Sequence, residues 1–559
     1  MKKPLLSELT LREKIGQCLC IPQFDVQIQS EVDRRKVRPD EEKHRIVENN
    51  QFGCIWCHGG LDLGETAQLA TDFSIGGRLT EPEDMKNWIK DTEKTLKIPA
   101  LHSSDSENGA TEIAGMTQTV PAIALGAANS EELCYNLGAA VAKELLCAGI
   151  NWRWTPVVDI MSRFSMSVNR AISHNADDII RFANANIKGM QDNGVAATAK
   201  HFPGGDRYEY RDSHFSPAMN SSTMEEWWEE QGKIFQGIID GGVWSIMTRH
   251  ASFPACDDTK IRGKYIPVSL SKKVNIDLLK NKMGFKGVVI TDDLKMGGIQ
   301  GFYSADDLVV ELMKAGNDML LSCRIQDADI LEQAVLDGRL SEERIDDACQ
   351  RVLDMKEKMG MFKDDYTLDT YKREDVTSET IRLNKEIAEK SMTLVRNDNN
   401  VLPIDKNKVK NVHIVISTHT DGFVKSLEVL KAELEARGMK VTMKRRLESR
   451  TELKPIADSN DLIIYAGYIA GHAPKGATCF VMEECVTFQH AFVWGGEKSV
   501  GVSFGYPFIH YDIMGNCEAF VNAYSPCAQS MKAFAKALCG EIPFEGVSPV
   551  ALSPSRRVW

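Results

Sequence analysis

The stretch Val288-Val289-Ile290-Thr291-Asp292-Asp293 is a short, unbroken apolar run that ends in polar residues. Unbroken rather than alternating runs are typical of strands that are buried on both faces. Seven similar runs occur along the first part of the chain: Cys18–Ile21, Cys54–Cys57, Pro99–His102, Pro156–Asp159, Ala196–Ala199, Trp244–Met247 and Met319–Ser322. Helical stretches separate them, for example Glu131–Leu146, Ala176–Asp192, Met224–Ile239 and Ser304–Ala315. This alternation predicts an α/β fold, a (β/α)₈ TIM barrel.

The rest of the chain predicts a second, smaller domain, because 559 residues are too many for one compact core. The stretch Ser341–Phe362 is typical of a helix that closes the barrel, and a polar segment follows it. Strand-like and helix-like stretches resume at about Asn411. We therefore predict a barrel over residues 1–362, a linker over 363–390 and an αβα sandwich over 391–559.

Composition and charge exclude several classes of protein. The net charge of −12 argues against nucleic acid or an anionic membrane as the main partner. No apolar run approaches the roughly 20 residues that a membrane-spanning helix needs, and the first residues do not resemble a secretory signal. The 14 cysteines lie mostly in apolar segments, which is typical of reduced, buried thiols. We expect a cytoplasmic protein without a membrane span.

No motif predicts a metal or a cofactor. The stretch Cys54-Ile55-Trp56-Cys57-His58 fits a haem-attachment pattern, but it coincides with a predicted barrel strand. Cysteines and histidines with the spacing of a structural zinc site do not occur. We therefore expect neither a metal nor a cofactor.

Several predicted strands end in titratable side chains: Asp105, Asp159, Lys200-His201, Arg249-His250 and Asp292-Asp293. Any one of these endings is explained by a strand that reaches water. In a TIM barrel, however, the carboxyl ends of all strands surround one mouth, where the active site lies. The recurrence of Asp, Lys and His there predicts an active site.

The residue types at two positions suggest glycosyl transfer. A carboxylate at Asp292 can attack an anomeric carbon, as in retaining glycosidases, whereas Asp293 could equally cap the next helix. His214 can protonate a leaving oxygen and then activate water, because imidazole titrates near neutral pH. Asp212 could orient that ring. Taken alone, an Asp-x-His sequence is equally well explained as a solvated loop.

These motifs together resemble glycoside hydrolase family 3, specifically its β-N-acetylglucosaminidase branch. The resemblance lies in Lys200–Gly204, Asp212-Ser213-His214 and Gly287–Asp292, and it extends over essentially the whole chain through Leu11–Gln17, Pro156–Asp159, Met247–His250, Lys356–Phe362, Leu394–Asn397 and Leu402-Pro403. It implies that Asp292 is the nucleophile and His214 the acid/base, with Asp212 its partner. It also implies that the sugar in the −1 subsite binds to Asp105, Arg170, Lys200 and His201. His250 is a further candidate for substrate binding.

Departures from the family pattern leave the substrate open. Ala110 and Ile113 stand where the family has arginines, and Tyr208 and Tyr210, in an extended loop, could stack on an unusual sugar or leaving group. The first hypothesis is an exo-acting retaining hydrolase of β-N-acetylglucosaminides. The alternatives are a β-glucosidase or other β-glycosidase, a phosphorylase in which a neutral histidine does not repel phosphate, and a non-catalytic sugar-binding relative. The expected partner is a carbohydrate, and a homodimer is left open.

Overall fold

The computed structural model describes residues 2–552, apart from 30–35, 58–80, 114, 164–168, 207–208, 210, 419, 446–449, 470–497 and 513–516. Tyr208, Tyr210 and His58 lie outside the described residues.

Eight parallel strands form a barrel, as the sequence predicted. They are β1 (Leu19–Pro22), β2 (Cys54–Trp56), β3 (Leu101–Ser104), β4 (Trp152–Arg153), β5 (Ala196–Phe202), β6 (Ser245–Thr248), β7 (Val288–Thr291) and β8 (Leu320–Leu321). Strands β1 to β7 each pair with their neighbours in the chain, and β8 pairs with β1. Between β7 and β8 there is a single parallel bridge, from Ile290 to Met319, which directly precedes β8. The barrel is therefore nearly closed, and the carboxyl ends of its strands surround one mouth.

The fourth strand lies earlier in the chain than the sequence predicted. It is Trp152–Arg153 rather than Pro156–Asp159. The later segment still runs beside β5, where the amide of Lys200 donates to the carbonyl of Pro156. It makes only isolated ladder contacts, since proline has no N–H to donate.

Helices cover the outside of the barrel, and several begin at side-chain caps. Thr10 and Thr223 each form a capping box with the glutamate three positions on. The α-helices of the barrel region are Leu11–Gln17, Gln23–Gln27, Asp40–Asn50, Pro82–Glu93, Ala122–Ala128, Glu131–Cys147, Ala176–Gln191, Met224–Glu229, Gln231–Asp240, Ala305–Lys314, Asp327–Leu336 and Glu342–Lys358. A π-helix spans Lys273–Lys282, and short 3₁₀ helices span Leu6–Glu8 and Val268–Leu270. Two small sheets pair Ala218–Met219 with Ala251–Ser252, and Lys260–Ile261 with Lys264–Tyr265.

A six-stranded sheet forms the core of the second domain. Its strands are β9 (Thr393–Asn397), β10 (Asn411–Thr418), β11 (Lys440–Arg445), β12 (Leu462–Tyr468), β13 (Ser499–Ser503) and β14 (Ala519–Asn522). Their order is β9-β14-β13-β12-β10-β11, and only β9 is antiparallel to its neighbour. The helices of this region are Asp421–Glu435, Arg450–Ser459, Ile509–Asp512 and Ala528–Leu538, with a 3₁₀ turn at Asp398–Asn400. This is the predicted second α/β domain.

One helix, Arg373–Lys390, connects the two domains. It lies inside the segment that the sequence assigned to a linker, and the domain limits themselves stay a prediction. The helix contacts Glu131–Cys147 of the barrel and Ala528–Leu538 of the sandwich, and its Leu383 and Ile387 are buried. It is therefore a packed element of both domains.

None of the helices in the described part of the chain is long and apolar enough to cross a membrane. The cysteines in that part are all free thiols, and all of them except Cys256 are buried.

Candidate active site

The ends of β3, β5, β6 and β7 bring the predicted site residues to the barrel mouth. Asp105 directly follows β3, Lys200 and His201 belong to β5, and Asp292 directly follows β7. The amide of Asp292 donates to the carbonyl of Thr248 at 3.0 Å, which continues the ladder between β6 and β7. Because strand backbones hold these residues, their side chains start from rigid positions.

Two cations and two carboxylates form a buried cluster on one side of the mouth. Lys200 Nζ lies 2.8 Å from Asp105 Oδ1 and 2.8 Å from Glu107 Oε1. Arg170 donates two hydrogen bonds of 2.7 Å to the two oxygens of Glu107. Lys200 is buried, whereas one third of the Asp105 side chain is exposed. Asp105 is thus the member of the cluster that can accept hydrogen bonds from sugar hydroxyls.

The electrostatics of this cluster keep Glu107, Arg170 and Lys200 charged. Burial disfavours the ionised form of Glu107, but Arg170 and Lys200 outweigh it and hold the pKa of that carboxyl well below its usual range. Burial also works against the charge on Lys200, and Asp105 and Glu107 raise the pKa of its ammonium nevertheless. The positive charges of Lys200 and Arg170 thus offset the negative charges of Asp105 and Glu107 in a buried region.

His201 is oriented by the buried carboxylate of Asp159, in the segment that follows β4. Its Nδ1 lies 3.1 Å from Asp159 Oδ2, and the other oxygen of Asp159 accepts a hydrogen bond of 3.2 Å from the amide of Gly205. Because a carboxylate accepts the Nδ1 proton, the other ring nitrogen of His201 remains for contact with a ligand. Burial lowers the pKa of His201, against the influence of Asp159.

His214 and Asp212 form the predicted pair in the loop after β5. Both Nδ1 and the backbone amide of His214 donate to Asp212 Oδ1, at 2.6 and 2.9 Å. The carboxylate is almost fully buried, whereas one third of the His214 side chain is exposed. Asp212 thus fixes the ring, and Nε2 is the atom of His214 that can exchange a proton with a substrate.

Asp292 is surrounded by three histidines. Burial opposes ionisation of its carboxyl, but His201, His250 and His214 outweigh it and hold the pKa below its usual range. Its Oδ1 also accepts a hydrogen bond of 2.9 Å from the amide of Asp293. An ionised carboxylate at this place has the charge that a nucleophile needs.

The side chains of His250 and Asp293 are engaged in hydrogen bonds with the surrounding protein. His250 is fully buried, with Nδ1 2.8 Å from the hydroxyl of Ser269 and Nε2 3.1 Å from the carbonyl of Asp293. Since both ring nitrogens have protein partners, His250 packs against the segment that carries Asp292 and Asp293. The carboxylate of Asp293 accepts a hydrogen bond of 2.8 Å from the amide of Lys295 and so closes a turn.

The two positions that depart from the family pattern are part of the core. Ala110 and Ile113 are buried. Between them in the chain, Glu112 accepts a hydrogen bond of 2.6 Å from Ser104. Burial and the nearby Asp105 raise the pKa of Glu112 to about 8. A neutral carboxylic acid therefore lies beside the charged cluster at pH 7.

Two important partners were not identified as such from the sequence. Glu107 holds Lys200 and Arg170, and Asp159 holds His201. Asp159 carried a signal, since it is polar and ends a predicted strand. Glu107 carried none, because both of its partners are far away in the chain. Among the described residues, no group of three or more His, Cys, Asp or Glu side chains could hold a metal ion.

Known proteins with similar sequences and folds agree on one family. The profile described as the glycosyl hydrolase family 3 N-terminal domain matches residues 10–355. A beta-N-acetylglucosaminidase/beta-glucosidase of Cellulomonas fimi is 26% identical over 510 residues, which are 86% of this chain and 89% of that protein. A beta-hexosaminidase of Nitrosomonas eutropha is 28% identical over 285 residues, covering 48% of this chain and 80% of that protein.

Solved structures show the same two-domain fold. A family 3 beta-N-acetylglucosaminidase from Paenibacillus sp. FPU-7 superimposes with a TM-score of 0.79 at 26% identity, covering 98% of this chain and all of that one. The beta-glucoside phosphorylase BglX gives a TM-score of 0.84 at 23% identity, covering 99% of this chain and 95% of that one. The profile match extends over more than half of the chain. The protein is a glycosidase with a retaining mechanism, and it belongs to glycoside hydrolase family 3.

Proposed function

We propose that this enzyme removes terminal β-linked N-acetylglucosamine by double displacement, with Asp292 as nucleophile and His214 as acid/base. The observation that carries the proposal is the hydrogen-bonded pair His214 and Asp212 beside a barrel mouth that holds an ionised Asp292. Two of the similar proteins described above are named for activity on N-acetylglucosaminides. Their names support the choice of sugar.

The first chemical step forms a covalent intermediate. An oxygen of Asp292 bonds to the anomeric carbon while the bond from that carbon to the leaving oxygen breaks. In the same step, protonated His214 gives its Nε2 proton to the leaving oxygen. The buried carboxylate of Asp212 stabilises the imidazolium that exists before this transfer.

The second step reverses these roles. Neutral His214 takes a proton from water through Nε2, and the oxygen of that water bonds to the anomeric carbon. The bond to Asp292 breaks, and the carboxylate is regenerated. Two inversions leave the product in the β configuration, which retention requires.

We further propose that the charged cluster binds the sugar. Asp105 accepts hydrogen bonds from hydroxyl groups, and Lys200, Arg170 and His201 donate to their oxygens. Lys200 and Arg170 each bind a carboxylate already, so the protein has positioned them before the sugar arrives.

A panel of 4-nitrophenyl β-glycosides tests the choice of sugar. We expect the highest kcat/KM for the N-acetylglucosaminide and lower values for the glucoside, xyloside and galactoside. A higher value for the glucoside would instead assign the β-glucosidase alternative. Proton NMR of the first product should show the β anomer, and an initial α anomer would contradict the proposed steps.

Substitution of Asp292 tests the catalytic assignment. Asp292→Asn removes the nucleophile, and we expect kcat to fall by on the order of 10⁴-fold or more. Asp293→Asn is the matched control, because its carboxylate closes a turn, and it should retain more activity. Unchanged turnover in Asp292→Asn would assign the nucleophile to another residue.

Phosphorolysis is a second candidate that one observation favours. The acid/base is an imidazole, and a neutral imidazole does not repel an incoming phosphate as a carboxylate would. Incubation of the best glycoside of the panel with 10-fold steps of phosphate concentration distinguishes the two reactions. Hydrolysis predicts free sugar at every concentration, whereas phosphorolysis predicts sugar 1-phosphate in rising proportion.

The location and the assembly of the protein also remain proposals. We propose a cytoplasmic protein, since the described cysteines are free thiols and almost all are buried. Cell fractionation checks this proposal, and light scattering on the purified protein distinguishes a monomer from the homodimer that the sequence left open.

A further inference from the structure

Two adjacent glycines connect the loop that carries His214 to the segment that follows Asp292. The amide of Gly297 donates to the carbonyl of His214 at 2.7 Å, and the amide of Gly298 donates to the carbonyl of Ser213 at 2.8 Å. The acid/base loop follows β5, whereas the glycines follow β7. Two backbone hydrogen bonds therefore join the segments that bear the two reacting groups.

Neither glycine is required by its backbone conformation. The residues with positive φ include many glycines of the described chain, but Gly297 and Gly298 are not among them. Other residue types could adopt these backbone angles without the strain that left-handed conformations impose. Some other property of glycine must matter at this place.

That property is the space that a side chain would occupy. A Cβ atom on Gly297 would lie 2.4 Å from the carbonyl oxygen of Phe215. A Cβ atom on Gly298 would lie 2.6 Å from the carbonyl oxygen of His250 and 2.8 Å from that of Ser213. All three obstacles are backbone atoms, which cannot turn away as a flexible side chain can. A larger residue would force the loops apart.

We propose that Gly297 and Gly298 are positioning residues that set the reach of His214 toward the oxygen bound at the carbon that Asp292 attacks. Gly298 also lies against the carbonyl of His250, in the segment after β6, so segments that follow three barrel strands meet here. Within the loop, the amides of Phe215 and Ser216 donate to the carbonyl of Asp212 at 3.1 and 3.0 Å. The turn is thus stiff, and a shift of its backbone carries the whole His214–Asp212 pair with it.

This role predicts an effect that depends on the leaving group. A poor leaving group such as an alkoxide needs proton donation from His214, whereas 2,4-dinitrophenolate departs without it. A misplacement of about 1 Å can cost on the order of 10²-fold in rate. If the loop of His214 moves away from Gly297 and Gly298, cleavage should slow only for substrates whose leaving group needs a proton from His214.

The experiment compares Gly297→Ala and Gly298→Ala with the wild type on two glycosides of the same sugar. The sugar is whichever one the glycoside panel identifies, since the inference rests on the proposed function. For the methyl glycoside we expect kcat/KM to fall by about 10²-fold. For the 2,4-dinitrophenyl glycoside we expect a change below about 3-fold, which also shows that the variants are folded. Equal losses on both glycosides, or no loss, would overturn the inference.

Gly301→Ala is the matched control. Gly301 lies in the same segment and has a positive φ, but a Cβ atom there would meet nothing within 4 Å. This variant should lower thermal stability through backbone strain without altering the ratio of the two rates. A changed ratio in Gly301→Ala would show that general loosening of the segment suffices, and would overturn the specific role of the close contacts.

A double substitution shows whether the glycines act through His214. In a His214→Ala background, Gly297→Ala should cause no further loss on the methyl glycoside, because the group that it positions is gone. Additive losses would contradict the inference. If His214→Ala itself affects both glycosides equally, the proposed function fails instead, so the two failures are distinguishable.

Hydrogen exchange of the wild type gives a test that needs no variant. Peptides that contain Gly297 and Gly298 should exchange slowly under native conditions, because both amides are hydrogen-bonded to the acid/base loop. Exchange as rapid as that of an exposed loop would overturn the inference even if no variant folds.

Discussion

Glu107 is the residue on which the two cations of the sugar site depend. Its carboxylate binds Lys200 and both donors of Arg170, and its side chain is only 14% exposed. Removal of one partner from a buried charge cluster leaves the others uncompensated, which costs far more than loss of a surface pair. The integrity of the cluster therefore affects stability, and we expect it to affect the proposed sugar binding as well.

We expect Glu107→Gln to lower the free energy of unfolding by about 3 kcal/mol at pH 7. The pKa of Glu107 is lower in the folded protein than in the unfolded chain, so its contribution is complete above the unfolded pKa. It is lost as the pH falls through the folded pKa. Urea unfolding at pH 7 and at successively lower pH measures this difference, which should shrink only in acid. Glu357→Gln, at an exposed pair with Lys3, should change stability little.

We expect the acid limb of the pH profile to report the ionisation of Asp292. Because nearby histidines lower its pKa, the limb of kcat/KM should lie below the pH at which an ordinary aspartate titrates. In His201→Gln the largest favourable neighbour is lost, and the limb should move to higher pH. His44→Gln, at an exposed pair with Asp91, is the control that should leave it in place. If the limb does not move in His201→Gln, the charge of His201 does not influence the ionisation of Asp292.

The sequence predicted individual candidate residues of the site, but not all of the partners that hold them. Asp292, His214 and Lys200 are recognisable because local motifs surround them. The bond from Glu107 to Arg170 and the approach of Gly297 to Phe215 join distant segments. Glycine occurs both where the backbone has a positive φ and where two backbone segments lie too close for a side chain. The amino-acid sequence does not distinguish these two uses.

At the scale of elements, the helix Arg373–Lys390 joins the barrel to the sandwich. Its Asn384 is fully buried, where Oδ1 accepts a hydrogen bond of 2.6 Å from the amide of Val120, and Nδ2 donates to the carbonyl of Gln118 at 3.1 Å. The amide of Thr119, between them, donates to Asn108 in the segment after β3. One side chain thus anchors the segment beyond Asp105 and Glu107.

We expect Asn384→Leu to lower the free energy of unfolding by about 2 kcal/mol, because it removes the partner of the buried amide of Val120 and of the partly buried carbonyl of Gln118. Thermal and urea unfolding measure this loss. Lys385→Ala, at an exposed position of the same helix, should stay within about 0.5 kcal/mol of the wild type. A similar loss in both variants would attribute the effect to the helix backbone rather than to the two hydrogen bonds.

Most of the elements could be predicted because their signals are local. Seven of the eight barrel strands overlap apolar runs that the sequence identified, and their ends differ by at most three residues. The predicted position of β4 was wrong because this strand has only two residues, Trp152 and Arg153, and because a more apolar run follows it. The sequence of Arg373–Lys390 predicts a linker because its polar residues outnumber its apolar ones, whereas the structure shows a packed helix.

At the scale of the whole molecule, the segment near residue 549 returns to the barrel. The carbonyl of Pro549 accepts hydrogen bonds of 2.9 Å from both the amide and Nδ1 of His174. The amide of Val547 donates to the carbonyl of Ala127 at 2.9 Å, and the amide of Gly546 donates to Met392 at 3.0 Å. The second domain is therefore attached to the first through its last described segment as well as through the helix.

Deletion of residues 546–559 should lower the melting temperature by several degrees, since it removes these hydrogen bonds and the packing around them. Differential scanning calorimetry measures the change. The shorter deletion of residues 553–559 retains Gly546, Val547 and Pro549, and it should melt close to the wild type. Equal losses in both deletions would assign the effect to the last residues instead.

The shared helix has a consequence for recombining this protein with others. Modules are usually exchanged at exposed linkers, and the sequence suggests a cut near residue 363 or 390. A cut at either place leaves Leu383 and Ile387 on a helix that has lost one of the two surfaces it packs against. The isolated barrel or sandwich would then expose an apolar stripe of this helix, which favours aggregation. A chimera that transplants the helix together with both of its neighbours avoids that stripe, so the natural unit of exchange in this chain is larger than either domain.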